Sequence, residues 1–168
     1  MPPRPHPSTR RGKLELEGLD LVARAQSIAR RAHEGQTDKL GEDYIAHPQR
    51  VAECALYMAP AKDRFDCVAA GWLHDVVEDS EVTLEDLRSH GMPDRILDAV
   101  DCLTKRDGTS RADYFARIRE HRIARVVKAA DLAENCGPDR AFRLPSSTRY
   151  RLSAKYAESW AMLMGVTS

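Results

Sequence analysis

The run Gly71-Trp72-Leu73-His74-Asp75-Val76-Val77-Glu78-Asp79-Ser80 constrains the fold more than any other part of the chain. Wound as a helix, His74, Asp75, Glu78 and Asp79 share an arc of roughly 140°. Ala70, Leu73, Val76 and Val77 take the other arc. The expected element is a buried helix whose acidic arc faces a cleft. Carboxylates and an imidazole crowded into an apolar setting repel one another and are poorly solvated. A bound cation relieves both problems.

A lone His-Asp pair is a weak motif, and here its company strengthens it. His47 stands before Pro48 at an expected helix start, and Asp131 lies in Lys128-Ala129-Ala130-Asp131-Leu132-Ala133-Glu134-Asn135. On a helix, Lys128, Asp131 and Asn135 share one face. Asp131 could pair with Lys128 in solvent, but Val126, Val127, Ala129, Ala130 and Leu132 leave little solvated face. The candidate ligands are therefore His47, His74, Asp75 and Asp131. Two nitrogens and two oxygens suit manganese, iron or zinc better than magnesium or calcium, which favour oxygen cages.

Helical spacing recurs along the chain. It predicts helices over 19–33, 48–58, 63–79, 94–102, 110–120, 123–135 and about 147–164, with a short one capped by Thr83. Gly35, Pro60, Gly91-Met92-Pro93, Asp107-Gly108 and Gly137-Pro138 punctuate them, the last as a hard stop. No window alternates Val, Ile and Thr as a strand would. The fold class is all-α in a single domain, and 168 residues can bury roughly 70% of their unfolded surface.

Lys plus Arg equals Asp plus Glu, 26 against 26, so no net field draws the chain to a nucleic-acid polymer or a membrane. No apolar run approaches the ~20 residues of a membrane span. Cys54, Cys67, Cys102 and Cys136 lack zinc-knuckle or redox spacing and read as reduced thiols of a cytoplasmic protein. The first thirteen residues hold four prolines and four basic residues with no apolar stretch, so the start of the chain, to residue 18, reads as a flexible arm.

His47, His74-Asp75 and Asp131 resemble the metal-binding pattern of the HD-domain phosphohydrolases. His33-Glu34-Gly35-Gln36, Gly41 to Pro48, Leu73 to Asp79 and Lys128 to Asn135 are similar, in order, to the alarmone hydrolase domains of the RelA/SpoT type and their small free-standing relatives. The resemblance implies an HD-type helical bundle over 19–168, a manganese ion, and removal of the 3′-pyrophosphate from guanosine tetra- or pentaphosphate. Its loop carries Lys39, the first choice for a phosphate contact, with Arg50, Lys105 and Lys128 behind it. Asn135 can donate and accept hydrogen bonds toward the nucleotide. Glu78 and Asp79, one turn beyond His74 and Asp75, are the expected proton handlers, with orientation of the ligands as the alternative for Asp79.

The loop also departs from the family. Asp38 stands where the alarmone hydrolases carry an arginine against the guanine, and an acid neither stacks on a base nor favours phosphate. Two alternatives to alarmone hydrolysis follow: an HD phosphohydrolase for another nucleotide, and a nucleotide-binding sensor without turnover. Glu78 and Asp79 argue against the sensor, because binding alone needs no proton acceptor. A chain of this length has no room for an alarmone synthetase domain.

Overall fold

The structure is a computed structural model that describes residues 7–166. It is all-α: among the described residues the only β feature is an isolated bridge between Thr37 and Asp43. The helices are α1 (Pro7–Ala32), α2 (Ala46–Met58), α3 (Arg64–Leu73), α4 (Val76–Asp79), α5 (Leu84–Ser89), α6 (Asp94–Leu103), α7 (Arg111–Glu120), α8 (Arg122–Asn135), α9 (Pro138–Arg143) and α10 (Ser146–Met164). A 3-10 turn, Ala61–Asp63, leads into α3.

Local chemistry sets most boundaries. The Thr83 hydroxyl accepts the Asp86 N–H while the Asp86 carboxylate accepts the Thr83 N–H, a full capping box at the start of α5. The Ser110 hydroxyl accepts the Asp113 N–H at the start of α7. Gly165 adopts φ 73° after α10, the left-handed closure that glycine makes cheaply.

Three expectations are corrected. Helix α1 begins at Pro7 rather than Leu19, so residues 7–18, expected in a flexible arm, are helical. Proline is accepted in a first turn, and Lys13-Leu14-Glu15-Leu16-Glu17 are good helix formers, so nothing local stops the helix sooner. Met1–His6 of the expected arm lie outside the described residues. Gly137-Pro138 does end α8, but Pro138 then opens the short helix α9.

The third correction matters most. The expected continuous helix 63–79 is interrupted at His74 and Asp75, between α3 and α4. The His74 ring donates from Nδ1 to the Gly71 carbonyl at 2.8 Å. That carbonyl would otherwise serve the N–H of Asp75 in an unbroken helix. Helical hydrogen bonding resumes with the Asp79 N–H on the Asp75 carbonyl at 2.8 Å. Both residues keep right-handed helical dihedrals through the break.

Helix α3 is the axis of the fold. Cys67 to Leu73 are all buried, and α3 packs against α1, α2, α6 and α8. One apolar cluster joins α1 to α3, α5 and α6 through Leu21, Ile28, Leu73, Leu87 and Ile96. A second joins α2, α3, α7, α8 and α10 through Val51, Cys67, Phe115, Val127 and Leu163. These faces hold the N-terminus of α2, the α3–α4 junction and the end of α8 together.

The α2–α3 crossing depends on Gly71, where a Cβ would lie 2.9 Å from the Ala52 Cα. Gly71→Ala is therefore expected to destabilise the protein by about 1–3 kcal/mol, as overpacking does. On helix propensity alone the same change would stabilise by about 1 kcal/mol. Thermal unfolding decides: an unchanged or raised melting temperature would mean the helices part at little cost.

Candidate metal centre and cleft

Each helix end in this region delivers a particular side chain. The first turn of α2 presents His47, the α3–α4 junction presents His74 and Asp75, and α8 presents Asp131. His47, His74 and Asp131 are buried, and each offers a ligand atom within 4.8 Å of the others. Nε2 of His47 lies 3.3 Å from Oδ1 of Asp131 and 3.7 Å from Oδ2 of Asp75. Nε2 of His74 lies 3.0 Å from Oδ2 of Asp75 and 4.0 Å from Oδ1 of Asp131. His47, His74 and Asp131 thus converge, and Asp75 approaches both imidazoles.

The donor chemistry of this cluster fits a metal. A carbonyl only accepts, so the His74 Nδ1 facing Gly71 must carry a proton. In the neutral ring Nε2 then bears a lone pair, and it is buried without a hydrogen-bond partner. Nδ1 of His47 faces Glu134 Oε2 at 2.6 Å, which puts its proton on the same side and leaves Nε2 free. Two nitrogen lone pairs therefore face two carboxylates. Such an arrangement calls for a cation at the centre, and histidine oriented from behind by a carboxylate or carbonyl is the usual support for a metal ligand.

Protonation answers the same demand when metal is absent. Burial opposes charge on His47, but its hydrogen bonds to the Asp131 and Glu134 carboxylates prevail and raise its pKa to about 9. Burial would raise the Asp75 and Asp131 carboxyls, yet His74 beside the first and Lys128 beside the second hold both well below the usual range. A sign follows for His47. Its folded pKa lies above the ordinary 6.5, so the charged ring contributes stability below pH 6.5 and loses it as pH rises through about 9. Chelator-treated protein is expected to lose on the order of a few kcal/mol across that window. Protein saturated with metal should lose less, because bound metal already requires neutral imidazole. Melting temperatures measured from pH 6 to about 9.5 with and without chelator test this; identical profiles would overturn it.

Glu78 and Asp79 diverge from each other. Glu78 accepts from the Lys105 backbone N–H at 3.1 Å and from its Nζ at 2.9 Å. Asp79 turns to Tyr44, whose hydroxyl lies 3.3 Å from Asp79 Oδ2 and donates to Asp75 Oδ2 at 2.5 Å. Burial, then the neighbouring Asp75 and Glu78, raise the Asp79 pKa.

Asp131 is tied by Lys128 Nζ to Oδ2 at 2.8 Å and by Asn135 Nδ2 to Oδ1 at 2.6 Å. His47, Asp75 and Asp131 line a cleft of about 1170 Å³, which residues of α10 also line. Lys39, Lys105, Arg111, Lys128, Arg149 and Lys155 line it. Burial and the nearby Lys105, Lys39, Lys128 and Arg111 lower the Lys155 pKa. Lys39, Lys128 and Asn135, singled out in the sequence, all reach this cleft.

Arg50 does not. Its Nε donates to Glu134 Oε1 at 2.7 Å, and the residue lines a smaller cavity of about 560 Å³ that it shares with Glu134. Asp38 also stays out of the cleft lining: its carboxylate accepts the N–H groups of Leu40 and Glu42 at 2.7 and 3.1 Å and closes its own loop. Sequence reasoning passed over Glu134 and Tyr44. The clue to Glu134 was an acid three residues after Asp131 on a helix with little solvated face. Tyr44 left no comparable signal.

Among the described residues no helix is long and apolar enough to cross a membrane. The cysteines Cys54, Cys67, Cys102 and Cys136 are free.

No family model matches the sequence. Curated relatives do. The chain is 38% identical over 157 residues to a guanosine-3′,5′-bis(diphosphate) 3′-pyrophosphohydrolase of Vibrio cholerae, covering 86% of this chain and 21% of that protein. It is 37% identical over 135 residues to a GTP pyrophosphokinase of Streptomyces coelicolor, covering 73% of this chain and 15% of the relative. Over 74 residues it is 47% identical to the bifunctional (p)ppGpp synthase/hydrolase SpoT of Escherichia coli, 44% of this chain and 10% of that one. The chain therefore spans about a fifth or less of the length of these relatives. A solved structure, described as a metazoan ortholog of SpoT that hydrolyzes ppGpp, shares the fold with a TM-score of 0.68 at 18% identity over 88% of both chains. Most of the chain's length is thus similar to one segment of these relatives, and its helices are arranged as in the metazoan ortholog of SpoT.

Proposed function

We propose that this chain is a phosphohydrolase that removes the 3′-pyrophosphate from guanosine tetra- or pentaphosphate. The observation that carries the reading is the meeting, in one cleft, of a cluster that demands a cation with a ring of lysine and arginine side chains. The names of the Vibrio and Escherichia relatives point the same way. Water attacks the phosphorus bonded to the 3′ oxygen, and that P–O bond breaks. The pyrophosphate leaves with the hydroxide oxygen, and the 3′ oxygen gains a proton, giving GDP or GTP.

When bound by His47, His74, Asp75 and Asp131, a manganese ion supplies Lewis acidity that acidifies water and offsets phosphate charge. Glu78, presented to the cleft by Lys105, takes the proton from water. Asp79, whose raised pKa suits it to holding a proton, passes one on toward the 3′ oxygen. Lys39, Lys105 and Lys155 offset the phosphates. Lys128 and Asn135 first hold Asp131, and Lys128 has further N–H donors for the nucleotide. Arg50 acts behind His47 rather than on substrate. The hydrolase domain begins within α1, and the nucleotide is its small-molecule partner.

Asp38 favours a second reading, in which the same cluster hydrolyses another nucleotide. An acid here, bound to its own loop, gives a guanine no guanidinium to stack against. The deciding experiment incubates the protein with manganese or with chelator, on guanosine tetraphosphate, guanosine pentaphosphate and common nucleotides, and identifies products. The expected result is GDP plus pyrophosphate from the tetraphosphate with manganese alone. Metal-dependent turnover of a different nucleotide only would replace the alarmone reading with the second. No metal-dependent turnover of any would overturn both.

A further inference from the structure

Behind His47, on the side away from the cleft, lies a buried acid that the proposed reaction does not use. Glu134 is 5% exposed at its side chain, and both of its oxygens are engaged. Oε2 faces His47 Nδ1 at 2.6 Å, and Oε1 accepts from Arg50 Nε at 2.7 Å. A buried carboxylate is costly unless its charge is offset, and Arg50 offsets this one. His47 and Arg50 sit three residues apart on α2 and so present to the same stretch of α8.

We infer that Glu134, held by Arg50, is a positioning residue that selects the tautomer and orientation of His47 needed to hold a metal. Nε2 of His47 lies 3.3 Å from Asp131 Oδ1. A neutral ring carrying its proton on Nε2 would donate it to that oxygen. Such a bond removes the nitrogen lone pair and one carboxylate lone pair from the metal at once. The Glu134 carboxylate, which can only accept, draws the proton to Nδ1 and leaves Nε2 open. Asp131 and Glu134 lie three residues apart on α8, so one helix supplies both a ligand and the support of a ligand on α2. His74 obtains the same service from a backbone carbonyl, that of Gly71.

This inference rests on the metal site of the proposed function, and its test reads metal affinity rather than turnover. Manganese dissociation constants are measured by calorimetry on wild type, Glu134→Gln and Glu134→Leu, with circular dichroism confirming that each is folded. Changes in such supporting groups commonly cost about 10–100-fold in metal affinity. Glu134→Leu, with no acceptor for Nδ1, is expected near the upper end of that range. Glu134→Gln, which retains one acceptor oxygen, is expected nearer the lower end, about tenfold. If the leucine variant does not fold, the near-isosteric glutamine variant decides alone. Wild-type affinity in a folded variant would overturn the inference while leaving the metal centre standing. A wild type that binds no manganese would overturn both. A lowered melting temperature of the metal-free variants with affinity intact would make Glu134 a packing residue only.

Discussion

Asp131→Ala is expected to leave the protein without retained metal, without activity, and markedly less stable. Asp131 faces Nε2 of both histidines and accepts from Lys128 and Asn135, so its removal touches every side of the cluster. Lys128, 14% exposed at its side chain, would be left as a buried cation without its partner. Breaking a buried pair on one side costs about 3–5 kcal/mol. Loss of metal removes the further stabilisation that a ligand bound to the folded state provides. Asp131→Asn separates the two effects: it keeps the size and an acceptor for Asn135 while weakening metal binding. Elemental analysis after dialysis and thermal unfolding with chelator provide the readouts. Equal metal content in wild type and Asp131→Ala would show that the centre does not use this residue.

Glu78→Gln carries the next largest effect, and it separates chemistry from metal binding. The substitution keeps the shape and an acceptor for Lys105 but removes the proton acceptor. General acid–base catalysis contributes about 10²–10⁴-fold, so kcat should fall on that order with metal content and melting temperature little changed. The loss should appear in kcat and in kcat/KM alike, as expected for an interaction made in the transition state. Metal lost together with activity would make Glu78 a ligand and overturn the role proposed for it. Metal and turnover both retained would pass the proton to Asp79.

Much of this molecule is local in origin. The helical stretches follow from apolar spacing, and Thr83, Ser110 and Gly165 end or begin them by chemistry confined to a few residues. The histidines and aspartates of the cluster could be read because each stands in a short word whose composition makes solvation implausible. The break at His74-Asp75 could not. It depends on a side chain competing with the backbone for the Gly71 carbonyl, which spacing rules do not register. At this junction the ligand atoms of His74 and Asp75 lie 3.0 Å apart.

Charge assignment divides in the same way. A cation near an expected nucleotide site reads as a phosphate contact in sequence, and Arg50 and Lys105 read so equally. Only packing of α2 on α8 turns Arg50 onto Glu134, and only the turn after α6 carries Lys105 to Glu78. The sequence by itself determined that the chain is helical and that its overall charge is balanced, and it pointed to His47, His74, Asp75 and Asp131 as candidate ligands. The tertiary structure alone decided which acids support histidine, which face the cleft, and which lysines converge on it. Helix periodicity is a property of neighbours along the chain. Hydrogen-bond partners across helices depend on how buried faces choose one another, and that choice is settled by the whole core together.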